Sequence, residues 1–305
     1  MHHRNDVTRS TPLRRLIRFP LIRIVLAIVV VLSVYTLAQF ILRSVSASLG
    51  IANDSPWPLF IVLLEVLGAL LGYYGYVRLT EQRPVTELAL PYAPRELGMG
   101  LLVGLGLFSV TIVTIALLGA YTITGTNGWR VVLPALAAAV SAGVVEEFLF
   151  RAILFRITEE VVGTWIAVAV TAVIFGILHI ITPLATFVGA IAIMLEAGVL
   201  LAAAYILTRR LWLAIGIHIA WNFAQGGIFG VNVSGNEAQG LLQGQPRGPA
   251  FLSGGAFGAE ASLIAVLVCL VVGVGLLVRA HQSNEIIQPF WHRQRAYTPA
   301  PTSVG

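Results

Sequence analysis

Two adjacent carboxylates, Glu146 and Glu147, stand with Arg151 in the otherwise apolar stretch VVEEFLFRAILF. This stretch closes an apolar run, Val131–Phe155, that is long enough to cross a bilayer as a helix, because about 20 residues suffice. A charged side chain at the centre of such a helix costs about 2.5–3.5 kcal/mol on insertion scales. Ionisable groups kept at this cost are candidates for function, so these three residues are the starting point for a site.

Later apolar runs contain three polar residues that can meet the glutamates: His179, His218 and Asn222. Spacing of four places His218 and Asn222 on one helical face, one turn apart. At 1.5 Å per residue, Glu146 and His179 each lie roughly 25 Å from the turn at Gly163, so antiparallel helices bring them level. Measured from the arginines that end their spans, His218 and Glu146 lie at similar depths, roughly 12 and 15 Å. We therefore expect these four side chains to converge inside the membrane from three helices.

A cluster of this kind supports hydrolytic chemistry. A carboxylate beside a neutral imidazole can activate a water molecule as a general base. A histidine and an asparagine one turn apart can donate hydrogen bonds to a developing oxyanion, and losing one such donor costs about 2.7–4 kcal/mol of transition-state stabilisation. Glu147 and Arg151, at i and i+4, can pair along their helix, which leaves Glu146 as the unpaired carboxylate.

Each residue also has a purely structural interpretation. A single histidine or asparagine in an apolar span commonly forms a hydrogen bond between helices. Phe175 shares a helical face with His179 and either packs there or shapes the site. Glu65 and Glu196 are further intramembrane carboxylates whose partners the sequence does not reveal, so their roles stay open. The agreement of depth and spacing favours a site over four unrelated contacts.

The composition indicates which elements position these residues. Of 305 residues, 57% are hydrophobic and 11% are charged, and the mean hydropathy is +0.87. A soluble domain carries about 25% charged residues, so the sequence predicts a membrane protein. The net charge of +5 does not indicate nucleic-acid binding, because the basic residues are all arginines at the ends of apolar runs and form no patch.

The apolar runs predict an all-α, polytopic membrane protein with about eight transmembrane helices. We expect these spans at Ile24–Leu42, Leu59–Val77, Leu97–Tyr121, Val131–Phe155, Thr164–Ile181, Leu184–Leu207, Leu211–Phe229 and Ala259–Val278. The chain then divides into a basic N-terminal segment (1–23), three N-terminal helices with their links (24–130), a catalytic core (131–229), a polar loop (230–258), a last helix (259–278) and a polar tail (279–305) that is disordered beyond Trp291. The link TITGTNGWR, near residues 122–130, is expected to be a simple turn.

The arginines predict the orientation. Eight spans place both termini on one side of the membrane. Apart from the intramembrane Arg151, only Arg43, Arg130 and Arg247 of the 19 arginines fall on the opposite side. Because cytoplasmic loops carry the excess of positive charge, we expect a multi-pass protein of the cell membrane with both termini in the cytoplasm.

Three motifs then indicate a family. EEFLFR at Glu146–Arg151 fits the pattern EExxxR, FGILH at Phe175–His179 fits FxxxH, and HIAWN at His218–Asn222 fits HxxxN. In this order they resemble the CPBP family of intramembrane glutamic endopeptidases. That family is also called CAAX proteases or bacteriocin-processing (Abi) proteins, and it is similar to the eukaryotic type II CAAX prenyl endopeptidase. The resemblance covers roughly Val131–Gln225.

The resemblance implies hydrolysis of peptide bonds in peptide or membrane-anchored protein substrates, within the lipid bilayer. It implies that Glu146 and His179 activate the attacking water, and that His218 and Asn222 form the oxyanion hole. The rest of the first motif, Glu147 and Arg151, would support them. Prenylated substrates are implied only for the eukaryotic relatives.

Two alternatives remain at this stage. Glutamate and two histidines are a plausible zinc set, so a zinc-dependent protease could use the same residues. We expect no cofactor, because Asn222 serves well as an oxyanion donor and is a poor zinc ligand. The second alternative is a non-catalytic immunity or transport protein, since intramembrane Glu–His chains also build proton relays. The sequence shows no inverted repeat of the transporter kind.

Overall fold

The computed structural model describes residues 16–51 and 56–295, and these residues form a helical bundle. Within a bilayer only helices and closed barrels satisfy every backbone polar group, so the apolar runs fold as helices. In chain order the helices are α1 (Pro20–Ser48), α2 (Trp57–Tyr76), α3 (Ala93–Leu117), α4 (Val132–Glu147), α5 (Arg156–Val162), α6 (Thr164–Leu178), α7 (Phe187–Leu195), α8 (Ala197–Thr208), α9 (Trp212–Asn222), α10 (Ala250–Ser253), α11 (Leu263–Gln282) and α12 (Phe290–Arg295). The prediction of an all-α polytopic membrane protein is confirmed.

Seven helical segments in the described part of the chain are long and apolar enough to cross a membrane. The seventh predicted span, Leu211–Phe229, is not among these seven segments. Its 11-residue helix α9 continues as six residues of π-helix, Phe223–Ile228. The start at Trp212 agrees with the prediction, and the chain turns just before it at Arg209, whose φ is 55°. Most residues of α9 are buried among other helices, so this segment belongs to the interior of the bundle.

Two further predicted boundaries are wrong. The sixth span, expected as one helix over Leu184–Leu207, is split into α7 and α8, which meet at Glu196. Helix α7 begins only at Phe187 because the Thr186 hydroxyl caps it, accepting the Gly189 N–H at 2.9 Å. The last span starts at Leu263 instead of 259, because Ser262 caps that helix in the same way.

A small antiparallel sheet joins two segments expected to be irregular. Strand β1 (Tyr121–Thr126) pairs with β2 (Leu242–Pro246), with Tyr121 opposite Pro246. The link after α3 is therefore not a simple turn, and the polar loop 230–258 contains both β2 and the short helix α10. The sheet covers the bundle at the end opposite the N-terminal start of α1.

The structure describes only part of the two end segments of the chain. Helix α12 shows that the tail is ordered as far as Arg295, which contradicts disorder directly after Trp291. Residues 296–305, and residues 1–15 of the basic N-terminal segment, lie outside the described residues.

Helix α9 touches both α3 and α4 through glycines. A Cβ atom on Gly100 of α3 would lie 2.5 Å from the Leu213 carbonyl oxygen, and one on Gly143 of α4 would lie 2.9 Å from the Ile219 nitrogen. Small residues let membrane helices approach this closely. Since Gly143 precedes the two glutamates by one turn and Ile219 follows His218, this contact brings the predicted site residues together.

At the end of the bundle where α1 begins, arginines and glutamates form a connected network, which we call the arginine-rich face. Arg156 is its centre, 2.8 Å from both Glu81 and Glu160 and 3.2 Å from Glu87. The other ion pairs of this face are Arg23–Glu81, Arg83–Glu87, Arg209–Glu159 and Arg210–Glu96. Most of these side chains are buried or half-buried, so the network closes this end of the molecule.

Candidate active site

Glu147 is the most enclosed residue of the first motif. Its side chain has no exposed surface, and its Oε1 accepts a hydrogen bond from Arg151 Nη1 at 3.0 Å. The same oxygen lies 2.9 Å from Nδ1 of His218 on α9. The predicted pairing of Glu147 with Arg151 is confirmed, and it extends to a histidine on a second helix.

Arg151 links this pair to a third helix and to the aromatic residues. Its Nη2 donates to the Ala197 carbonyl at 3.0 Å, at the junction of α7 and α8. Its guanidinium carbon lies 5.0 Å from the centre of the Phe175 ring, within the range of a cation–π contact. Arg151 belongs to a π-helical stretch, Phe148–Phe155, that directly follows the two glutamates. Such π-segments frequently occur at functional sites.

Glu146 has a different environment from its neighbour. Its side chain is 30% exposed, and its Oε2 lies 3.9 Å from His218 Nε2, beyond hydrogen-bond distance. Among the described residues, this oxygen has no hydrogen-bond partner. As expected, Glu146 is left outside the Glu147–Arg151 pair, and the exposed part of its side chain can meet a water molecule or a substrate.

His179 stands where α6 ends and a short 3₁₀ turn begins. Its Nδ1 lies 2.7 Å from the Phe175 carbonyl oxygen, which belongs to the last turn of the helix. Only an N–H can pair with a carbonyl, so this contact assigns the proton to Nδ1 in the neutral ring and leaves a lone pair on Nε2. The Phe175 ring packs on the imidazole at 4.7 Å and therefore shapes the site.

The predicted site residues line two neighbouring cavities. The larger, of about 470 Å³, is lined by Glu146, His179 and Asn222, and we call it the cleft. The smaller, of about 30 Å³, is lined by His179, Asn222 and His218. A volume of this size holds one or two water molecules. The structure thus brings together all four residues that were proposed to converge.

Sequence reasoning missed Glu260, which is buried beside the small cavity and accepts a hydrogen bond from the Ser234 N–H. Burial raises the pKa of Glu260 to about 7, against the opposing effect of the Ser234 hydrogen bond. Glu196 also lines this cavity. The only sequence signal for Glu260 was a carboxylate at the very start of the last apolar run.

Glu65 does not line either of these two cavities. It is fully buried on α2, and its Oε1 accepts a hydrogen bond from Arg43 at 3.1 Å. Arg43 lies in the C-terminal part of α1, so Glu65 has the ion-pair partner that the sequence did not reveal.

The donor geometry does not fit a zinc ion. In the described part of the chain, no three side chains of His, Cys, Asp or Glu converge as a metal-binding group. Glu147 Oε1 and His218 Nδ1 are paired with each other, and His179 Nδ1 is engaged with a backbone carbonyl. No step of the mechanism below therefore uses a metal.

Fold and site together define a multi-pass membrane protein with a polar, water-sized site inside its helical bundle. Residues 128–224 match the family model described as type II CAAX prenyl endopeptidase Rce1-like. All three motifs lie inside this segment, so the match confirms the resemblance to the CAAX proteases and supports a protease activity. No curated protein and no solved structure matches the chain.

Proposed function

We propose that the chain is an intramembrane glutamic endopeptidase, which hydrolyses peptide bonds of membrane-associated or hydrophobic substrates without a cofactor. Water is activated by Glu146 with His179, and His218 with Asn222 forms the oxyanion hole. The observation that carries this proposal is that the partly exposed Glu146 lines one cleft together with His179 and Asn222, whereas Glu147 does not. The family match supports the reaction class.

The two adjacent glutamates have separate tasks. Glu147 already binds Arg151 and His218 through one oxygen and has no exposed surface, so it is a positioning residue. Glu146 lines the cleft and its side chain is 30% exposed, so it can accept a proton from water. A general base must lie within hydrogen-bond reach of the proton it removes, and only Glu146 of the two meets this condition.

The two histidines also differ. In His179, Nδ1–H binds the Phe175 carbonyl, which leaves Nε2 as an acceptor suited to orienting the attacking water. His218 lies between both carboxylates. Two carboxylates and Arg151 carry one net negative charge, and a protonated His218 balances it. In that form Nε2–H is a donor, as an oxyanion hole requires.

The reaction then proceeds in two steps. Glu146 takes a proton from water while the water oxygen bonds to the peptide carbonyl carbon, and His218 and Asn222 donate to the resulting oxyanion. The tetrahedral intermediate collapses, the C–N bond breaks, and the leaving nitrogen takes the proton from Glu146. The products are a carboxylic acid, which keeps the second proton of the water until it releases it to solvent, and a free amine, and the enzyme returns to its starting state.

The test is cleavage of a mixed library of membrane-anchored and hydrophobic peptides by the purified protein in the presence of a chelator. Glu146→Gln keeps the shape of the side chain and removes the base. Glu160→Gln is the matched control, because Glu160 lies on the arginine-rich face, away from the cleft. We expect cleavage by the wild type and the control, and a loss of at least 10²-fold with Glu146→Gln.

Cleavage by Glu146→Gln at the wild-type rate would overturn the mechanism. Cleavage that stops with chelator and returns with zinc would replace it with the metal-dependent alternative. A biological activity that survives both Glu146→Gln and His218→Gln would instead indicate a binding or transport protein.

A further inference from the structure

We propose that the cleft receives its substrate from the non-cytoplasmic side of the membrane. The substrate would then be a peptide segment exposed outside the cytoplasm, with apolar residues beside the scissile bond. That a substrate enters the cleft rests on the proposed peptidase function. The direction in which the cleft opens is a separate property of the fold and does not depend on that function.

The mouth of the cleft lies at the end of the bundle opposite the arginine-rich face. Beyond the catalytic residues, the cleft is lined by Ile181 and Thr182, which follow the end of α6, and by Ser234, Asn236 and Glu237 of the 230–258 loop. Both α6 and α9 start at the arginine-rich face and run away from it, so the segments that follow them lie at the other end. Asn236 and Glu237 are exposed, which makes this end a polar, accessible rim.

The route from the other end is filled. Between Glu147 and the arginine-rich face, the chain places four large side chains with at most 1% exposure: Phe148, Ile153, Phe155 and Ile157. Arg156 then joins three glutamates directly beyond them. Interiors packed in this way have few voids larger than a water molecule, so a peptide does not reach Glu146 from this side.

The charge distribution identifies the two sides. The arginine-rich face carries the α2–α3 link, the α8–α9 link and α12, each with two arginines, whereas among the described arginines only Arg43, Arg130 and Arg247 lie at the cleft end. Arginine excess in short links marks the cytoplasmic side. The cleft therefore opens away from the cytoplasm.

The wall of the cleft indicates what it accepts. Ala135, Ala138, Ala139 and Ala142 line it from α4, at spacings that place them on one face of the helix. Small side chains leave room for a larger apolar side chain of the substrate next to Glu146. A cleft of about 470 Å³ lies within the range of 300–1,000 Å³ that is common for binding sites.

Single-cysteine labelling tests the orientation without any assumption about catalysis. The single native cysteine, Cys269, is fully buried, so the wild type serves as the blank. Glu237→Cys places a thiol at the rim, and Gln282→Cys places one at the exposed end of α11, on the arginine-rich side. Gln239→Cys is a second rim position, in case the first variant accumulates poorly. Intact cells are treated with a membrane-impermeant maleimide, and permeabilised cells show the maximum labelling of each variant.

We expect the rim variants to label in intact cells to near their permeabilised level, and Gln282→Cys to label only after permeabilisation. Labelling of Gln282→Cys alone in intact cells would overturn the proposal. Substrate peptides presented to right-side-out and inverted vesicles give a second measurement, with cleavage expected in right-side-out vesicles only. Cleavage in inverted vesicles only would refute the proposed direction of the cleft and leave the catalytic proposal intact. The expected labelling pattern without any cleavage would support the direction of the cleft and contradict the catalytic proposal.

Discussion

Glu147 Oε1 lies 2.9 Å from His218 Nδ1, and this contact fixes the imidazole so that its other nitrogen is directed to the Glu146 carboxylate at 3.9 Å. Glu146 and Glu147, which are consecutive residues of α4, therefore face opposite edges of the His218 ring. Their environments differ accordingly, because Glu147 has no exposed surface and binds Arg151 and His218 through Oε1, whereas the Glu146 side chain is 30% exposed. The different roles that we propose for Glu146 and Glu147 follow from their different positions around the His218 ring.

Replacing Glu147 by Gln is expected to destabilise the protein by about 3–5 kcal/mol, because it leaves Arg151 buried without a counter-charge. Unfolding in detergent micelles measures this loss. The double variant Glu147→Gln/Arg151→Met is the control. If the two residues act as a pair, its loss is clearly smaller than the sum of the two single losses, and additive losses would contradict the pairing.

Replacing Asn222 by Ala is expected to lower kcat by about 10²–10³-fold with little change in KM, because an oxyanion donor acts only in the transition state. Steady-state cleavage of one defined peptide separates the two constants. A rise in KM with unchanged kcat would show that Asn222 binds the substrate and does not stabilise the oxyanion.

The sequence predicted the convergence of Glu146, His179, His218 and Asn222 because helical rise and period are fixed, so depth can be counted along each span. It also predicted the Glu147–Arg151 pair, which depends only on spacing within one helix. The contact between Glu147 and His218 was missed, because side chains on different helices meet according to rotation and crossing angle, which spacing does not determine.

Replacing Gly143 by Ala is expected to lower kcat by about 10²-fold, because the new Cβ would lie 2.6 Å from Ile219 Cγ1 and 2.9 Å from the Ile219 nitrogen. Helices α4 and α9 must then separate, which moves His218 away from the glutamates. Gly106→Ala on α3 is the matched control, since nothing lies within 4 Å of its added Cβ. Equal activities of the two variants would show that close helix contact is not required.

Glu260 gives a prediction for pH. Its pKa is raised by burial from 4.5 to about 7, so between these values the folded state alone holds the proton. Stability is therefore greatest below about pH 4.5, falls as the pH rises toward 7 and then levels, with a total change on the order of 3 kcal/mol. Thermal unfolding in micelles from pH 4 to 9 measures this slope.

Glu260→Gln supplies the comparison, because an amide oxygen can still accept the Ser234 N–H and does not titrate. The slope between pH 4.5 and 7 should disappear in this variant. A slope that persists unchanged would assign the titration to other groups.

The remaining differences from the sequence predictions come from helix ends and long-range pairing. The starts of α7 at Phe187 and of α11 at Leu263 depend on the caps Thr186 and Ser262, which lie beside apolar stretches where hydropathy gives no signal. The pairing of β1 with β2 joins residues more than a hundred positions apart. The 3₁₀ turn at His179, which sets its hydrogen bond to the Phe175 carbonyl, is likewise a property of the helix end.

The network around Arg156 has a consequence for how the protein responds to acidity inside the cell. The chain contains no lysine, so every non-histidine side-chain cation at the arginine-rich face is a guanidinium. Guanidinium groups remain protonated throughout the physiological range, whereas a lysine ammonium can lose its proton when it is buried. A change in pH within this range therefore does not remove the charge of these arginines, and the network keeps this end of the bundle closed.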